Sequence, residues 1–301
     1  MASGRLSVNR LLVIDEHPEI DSELPGNVPA DGGVSEHGAR WIATDQREKA
    51  LQLGLQPLTP VEVFAIHLQD TVREHADALL TRDATNQLVE QLREFSPTVV
   101  GELIPELLSL GQVQRVLRNL LNENVSIRPL AEIMEALSEI ATRQTHPIRM
   151  TQYVRTRLAR NISSSLAQNE GLRLLTLRPE MEKHIAESIK YTEFDFEFTL
   201  AHATQEMLRR QVQRYVNQTQ GEPGATVLVV GEHIRPAIAR IFKTNLLGIT
   251  VLTGSEVSPE TQILSHHQLD LESRQEFRST SRTVSPSTSP SYSSSGQQNF
   301  S

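Results

Sequence analysis

The chain has 301 residues, of which 38% are hydrophobic, 22% charged and 4% aromatic. That length suits about two domains of a helix-leaning globular protein. Its net charge of −8 lacks the basic footprint of a sequence-independent nucleic-acid binder. The absence of cysteine excludes disulfides, thiolate metal sites and cysteine nucleophiles. No apolar run reaches the roughly 18–20 residues of a membrane helix. Met1 to Arg10 has no signal-peptide core, so the chain on its own reads as cytoplasmic.

Leu11 to Ile14 is an apolar run of strand length, followed by a turn-rich loop through Pro18, Pro25-Gly26, Pro29 and Asp31-Gly32-Gly33. Trp41-Ile42 precedes a predicted helix from about Thr44 to Leu53, stopped by Gly54. Thr59-Pro60 opens the next helix in the N-cap and first-position pattern. Val61, Phe64, Ala65 and Leu68 give that helix an apolar stripe at i, i+3, i+4, i+7.

From about Arg73 to Ala167 the pattern is helical throughout. Val113, Val116, Leu117, Leu120 and Leu121 form one stripe, and Leu130, Ile133, Met134, Leu137 and Ile140 form another. Pro129 fits the first helical position of the second, and Thr151 is expected to cap a further helix running through Val154, Leu158 and Ile162.

The composition then shifts. Leu172 to Leu177 reads as a strand, and Pro179 opens a helix carrying Met181, Ile185 and Ile189. Phe194 to Phe198 suggests a short half-exposed strand or a turn. A polar helix from Leu200 to Gln218, a strand from Thr226 to Val230, a helix from Ile234 to Asn245 and a strand from Ile249 to Leu252 follow. This alternation implies a small α/β unit with parallel pairing. Residues 273–301 contain eleven serines and almost no aliphatic side chains, the composition of a disordered tail. The expected fold class is α+β and mostly helical. It comprises a partial α/β front subdomain (1–72), a helical domain (73–167), a small C-terminal α/β subdomain (168–271) and a tail (272–301).

Catalytic signatures are missing. No HExxH pattern or GxSxG elbow occurs. His266 and His267 are adjacent and point apart on a regular element. His67, within an apolar stripe, reads on its residues alone as a structural, hydrogen-bonded histidine. The turn Val230-Gly231-Glu232 ends a strand before a helix, but it has one glycine where a dinucleotide fingerprint needs three. No catalytic, metal or cofactor site is therefore assigned, and an enzyme using this α/β unit for a nucleotide or small ligand is a remote alternative.

The segment ELIPELLSLGQVQRVLRNLLNENVSIRPLAEIMEALSEIA, Glu102 to Ala141, resembles the most characteristic stretch of the FHIPEP family. These are the export gates of flagellar and virulence type III secretion systems. The resemblance extends through ARWIATDQREKALQLGLQPLTPVEVFAIHL (Ala39 to Leu68), VRTRLARNI (Val154 to Ile162), LLTLRPEMEKHI (Leu174 to Ile185) and the stretch from Val227 to Ile263. It covers about residues 10 to 265.

The resemblance implies the C-terminal cytosolic part of such a gate, without the membrane half or the front strands of its first subdomain. It implies a non-enzymatic docking and gating module at the cytoplasmic face of the bacterial inner membrane. Expected partners are export chaperone–substrate complexes, other export-apparatus proteins and further copies in a ring, with no cofactor and no nucleic acid. Val34, Trp41, Ile66 and His67 stand in the neighbourhood that docks chaperones in the family. Gln114, Arg115, Asn119, Arg128 and Arg235 are family-motif positions for structural or subunit-interface roles. Three features depart from the pattern. The loop PADGGVSEHGARWI is longer and more polar, Ile66 replaces a frequent threonine, and Pro129 replaces an acidic residue. A truncated paralogue without export function is the alternative these departures raise.

Overall fold

The computed structural model describes residues 9–14, 24, 28–29, 39–168, 170–219, 221–243 and 249–269. Val34 and the serine-rich tail lie outside the described residues, as does nearly all of the loop from Pro18 to Gly33. The architecture is α+β and mostly helical.

The front of the chain forms a small antiparallel sheet. Strand β1 (Arg10–Ile14) pairs with β3 (Ala39–Ala43), Leu12 standing opposite Trp41, and β2 (Val28–Pro29) pairs with the far side of β3. A 3-10 turn at Thr44–Gln46 leads into helix α1 (Arg47–Gln52). Gly54 ends this segment at φ +78°, a conformation that a Cβ disfavours. Leu12 and Leu58 exchange backbone hydrogen bonds of 2.8 and 2.7 Å, which bring the chain back beside β1.

Helix α2 (Pro60–Glu74) starts as predicted. The Thr59 hydroxyl accepts from the Glu62 amide, and the Glu62 carboxylate accepts from the Thr59 amide at 2.7 Å, a reciprocal capping box. The predicted stripe is helical but it is not buried. Val61, Phe64 and Leu68 are 76%, 54% and 50% exposed, whereas Val63, on the opposite face, is 3% exposed. The helix packs on the front sheet through Val63, and this contact turns the stripe outward.

Seven helices follow: α3 (Ala76–Leu79), α4 (Arg82–Phe95), α5 (Pro97–Leu103), α6 (Leu110–Asn122), α7 (Leu130–Ala141), α8 (Pro147–Arg157) and α9 (Ala159–Ala167). Ser109 and Gln112 form a second capping box, at the start of α6. The apolar stripes of α6 and α7 meet in one core built on Val113, Val116, Leu117, Leu120, Ile133 and Leu137. Pro129 sits one position ahead of expectation, as the residue before α7. Thr151 does not cap a helix. Pro147 opens α8, and the Thr151 hydroxyl lies inside that helix, donating to the Pro147 carbonyl at 2.8 Å. The predicted single helix divides at Leu158 into α8 and α9.

The last part holds a four-stranded parallel sheet in the order β8 (Thr250–Leu252), β7 (Ala225–Val229), β4 (Leu172–Thr176), β9 (Ile263–Gln268). Strand β9 was not anticipated. Helix α10 (Pro179–Glu187) ends before Ile189, which belongs instead to a hairpin of β5 (Ile189–Tyr191) and β6 (Phe196–Phe198). Helices α11 (His202–Gln218) and α12 (Arg235–Lys243) complete the unit. Alternate strand residues serve two cores. Leu175, Leu228 and Val251 pack with α10, α11 and α12. Leu172, Val227 and Leu252 join the core of the preceding helices. Strands β4, β7 and β8 are thereby covered on both faces, as parallel strands require, whereas β9 is exposed.

Candidate functional site

Burial settles where polar side chains do structural work. Arg155 of α8, Arg235 at the start of α12 and Glu256, in the 3-10 turn Gly254–Glu256, are each only 1% exposed. Arg155 grips Glu256 with two parallel hydrogen bonds, Nε to Oε1 at 2.8 Å and Nη2 to Oε2 at 2.9 Å. Its Nη1 also lies 2.8 Å from Oε2 of Glu123, just after α6. Arg235 grips Glu123 with its two terminal nitrogens at 2.5 and 3.1 Å. Burial by itself would raise the Glu123 carboxyl. Arg235 and Arg155 outweigh that effect and hold it below the usual carboxylate range. Burial likewise disfavours the charge on Arg155, while Glu123 and Glu256 restore it and raise its pKa. The four side chains tie α6 and α8 to the α/β unit.

Beside this network lies a cavity of about 480 Å³, bounded by the end of α2 (Asp70, Glu74), by Asn119 and Glu123, and by Arg240 and Lys243 of α12. A second hollow, of about 340 Å³, continues along the polar face of α6 past Gly111, Gln114, Arg115 and Arg118. Three of the predicted motif residues meet here. Gln114 donates to the Leu80 carbonyl at 2.9 Å and Asn119 donates to the Thr151 hydroxyl at 3.0 Å. The Arg115 guanidinium stands 5.3 Å from the ring centre of Phe194, at the tip of the β5–β6 hairpin. Arg235 belongs to the buried network. Arg128 is exposed and apart from the others, its amide donating to the Ser126 hydroxyl at 3.3 Å.

The predicted docking residues separate. Trp41 is buried with Leu12, Ala39 and Val63. Ile66 and His67 are exposed on α2, so His67 does not sit in a buried stripe. The exposed apolar face of α2, with Val61, Phe64, Leu68 and Val72, is the larger feature. The i, i+3, i+4, i+7 spacing of Val61, Phe64, Ala65 and Leu68 was visible, but their exposure and the extension to Val72 were not.

Among the described residues no group of three His, Cys, Asp or Glu is arranged to hold a metal ion. At the turn after β7, the Gly231 amide donates to Glu182 Oε1 at 3.0 Å. A carboxylate thus occupies the place where a nucleotide phosphate would seek that amide. No described helix is long and apolar enough to cross a membrane.

The model of the FHIPEP family matches residues 1–262. The flagellar biosynthesis protein FlhA of Bacillus subtilis is 29% identical over 274 residues, covering 90% of this chain and 40% of that protein. The low calcium response locus protein D of Yersinia pestis is 26% identical over 270 residues, covering 87% and 37%. The chain therefore spans about 40% of the length of these curated relatives. The solved Chlamydia pneumoniae CdsV protein superposes with a TM-score of 0.75 at 23% identity, over 87% of this chain and 76% of that one. The nonameric EPEC SctV-C gives 0.67 at 20%, over 87% and 79%.

Proposed function

The chain belongs to the FHIPEP family, and from that premise we propose that it is a docking and gating module of a flagellar or type III export apparatus. In this reading it works at the cytoplasmic face of the inner membrane. It receives export substrates with their chaperones and has no catalytic role. The observation that carries the proposal is the exposed apolar face of α2, with Val61, Phe64, Leu68 and Val72 beside Ile66 and His67, at the family's docking neighbourhood. Monomeric proteins seldom leave such a contiguous face uncovered, and amphipathic partners bind faces of this spacing.

Self-assembly supports the same reading. Solved relatives include nonameric assemblies and a complex of CdsV with CdsO. Arg115, Arg118 and Arg128 supply exposed or half-exposed charge for contacts between copies. Immobilised protein is expected to retain export chaperone–substrate complexes from a flagellated or secreting host, and Phe64→Glu is expected to abolish that retention. Absence of retention by the folded protein, together with normal secretion after deletion of the gene, would overturn the proposal. Restoration of secretion by fusing this segment to a membrane half would exclude the truncated-paralogue alternative.

A further inference from the structure

The geometry points to the outer edge of β9 as a strand-addition site for an extended, acidic segment of a partner polypeptide. This surface is distinct from the α2 face, and the inference does not rest on the docking role proposed for that face.

Strand β9 pairs with β4 on one side, and among the described residues no strand pairs with its other side. The Leu269 amide donates to the Thr176 carbonyl at 2.8 Å. In a parallel strand the backbone groups of alternate residues face alternate neighbours. Counting back from Leu269, His267 and Ser265 face β4, while Gln268 and His266 present their amide and carbonyl outward. All six residues of the strand are exposed. The sequence ILSHHQ has no proline, lysine or acidic residue, the devices with which edge strands usually block pairing. The pairing of β9 with β4 shifts register at its start, so the regular edge runs from Ser265 to Gln268, and that edge is a template for another strand.

Helix α11 decides what kind of strand fits. Tyr215 stacks on His267, with ring centres 4.9 Å apart and planes at 19°, so α11 overhangs β9. At about 100° per residue, Arg209 and Arg214 lie on opposite sides of Tyr215. Arg209 donates to the Ile241 carbonyl of α12, towards the middle of the sheet. Arg214 therefore lies towards the open edge, and it is exposed. Arg209 is also paired with Glu206, so Arg214 is the charge that α11 brings to this edge. An incoming strand would run beneath the exposed Arg214, which favours acidic side chains. A second copy paired edge to edge would set one Arg214 flank against another, so like charges oppose that occupant.

The test uses the full chain and two fluorescent twelve-residue peptides, one alternating threonine with glutamate and one alternating threonine with lysine. Anisotropy is expected to rise with the acidic peptide and not with the basic one. Amide exchange, followed by NMR, is expected to slow at His266 and Gln268 on binding. Arg214→Glu is expected to weaken the acidic peptide by about fivefold. Gln268→Pro removes an outward amide and is expected to abolish binding while circular dichroism shows the fold retained. Three results would overturn the proposal. The folded protein could fail to bind either peptide. Binding could leave both amides unprotected. The two amides could be protected without peptide in proportion to protein concentration, which would make the occupant a second copy.

Discussion

The front sheet with α2 and the rest of the molecule are stabilised in different ways. The front has two small clusters, one around Leu11, Val13 and Ile42 and one around Leu12, Trp41 and Val63. Its longest helix gives one deeply buried apolar residue, Val63, to the interior. Behind it, one continuous core runs from α4 through α9 into the parallel sheet, and buried charge spans the same junction. The comparison teaches that apolar content does not locate stability. Val61, Phe64 and Leu68 on α2 are as apolar as the stripe of α6, yet only the stripe of α6 is removed from water. The posterior unit keeps its apolar stripes inside, whereas α2 leaves most of its stripe in contact with water.

The largest expected effect lies in the buried network. Glu256→Ala removes the carboxylate that grips Arg155 with two hydrogen bonds and leaves that buried guanidinium with Glu123 alone, which it shares with Arg235. A loss of about 3–5 kcal/mol is expected from urea unfolding. Acid acts on the same network. The folded-state pKa of Glu123 is depressed, so its stabilisation is complete above the ordinary carboxylate range and disappears as pH falls through the folded value. An unfolding midpoint that declines with acid in the wild type and declines less in Glu123→Gln checks the sign.

The next effect tests the contrast between the two stripes directly. Leu117→Ala in α6 is expected to cost about 2–5 kcal/mol, since the residue is completely buried. Leu68→Ala in α2, which deletes the same atoms, is expected to change stability by no more than about 0.5 kcal/mol. Equal losses at the two positions in thermal unfolding would show that the α2 face is covered in solution.

These contrasts also mark what the sequence made legible. The helical stripes of α6 and α7, the Thr59-Pro60 helix start and the strands β4, β7 and β8 were readable, because period and capping chemistry are local. The exposure of α2 was not readable, because periodicity reports that a face is apolar and says nothing of what packs on it. Strand β9 escaped because ILSHHQ lacks apolar alternation, having neither face in the core. Ile189 fits the spacing of α10 with Ile185, but its backbone pairs with Phe198 across the hairpin. Among the site residues, Gln114, Asn119 and Arg235 were singled out by motif, whereas Arg155, Glu123 and Glu256 were not. Each carries a charge that composition assigns to the surface, and only its three-dimensional pairing explains its burial.

The smallest predicted effect concerns how firmly α2 presents its face. Thr59→Ala removes the hydroxyl that accepts from the Glu62 amide and is expected to cost about 1 kcal/mol. That cost is confined to the first turn, where it should appear as faster amide exchange at Val61 to Val63 with little change in the posterior core. The other half of the capping box is acid-sensitive. The Thr59 amide and hydroxyl hold the Glu62 carboxyl below its ordinary pKa. The cap is therefore intact above the ordinary carboxylate range and opens as pH falls through the lowered value. If α2 is a presented helix rather than a core helix, fraying its first turn by mutation or acid weakens partner retention through Val61 and Phe64 before global unfolding begins. Retention and unfolding that fall together on the same acid titration would instead join α2 to the main cooperative unit.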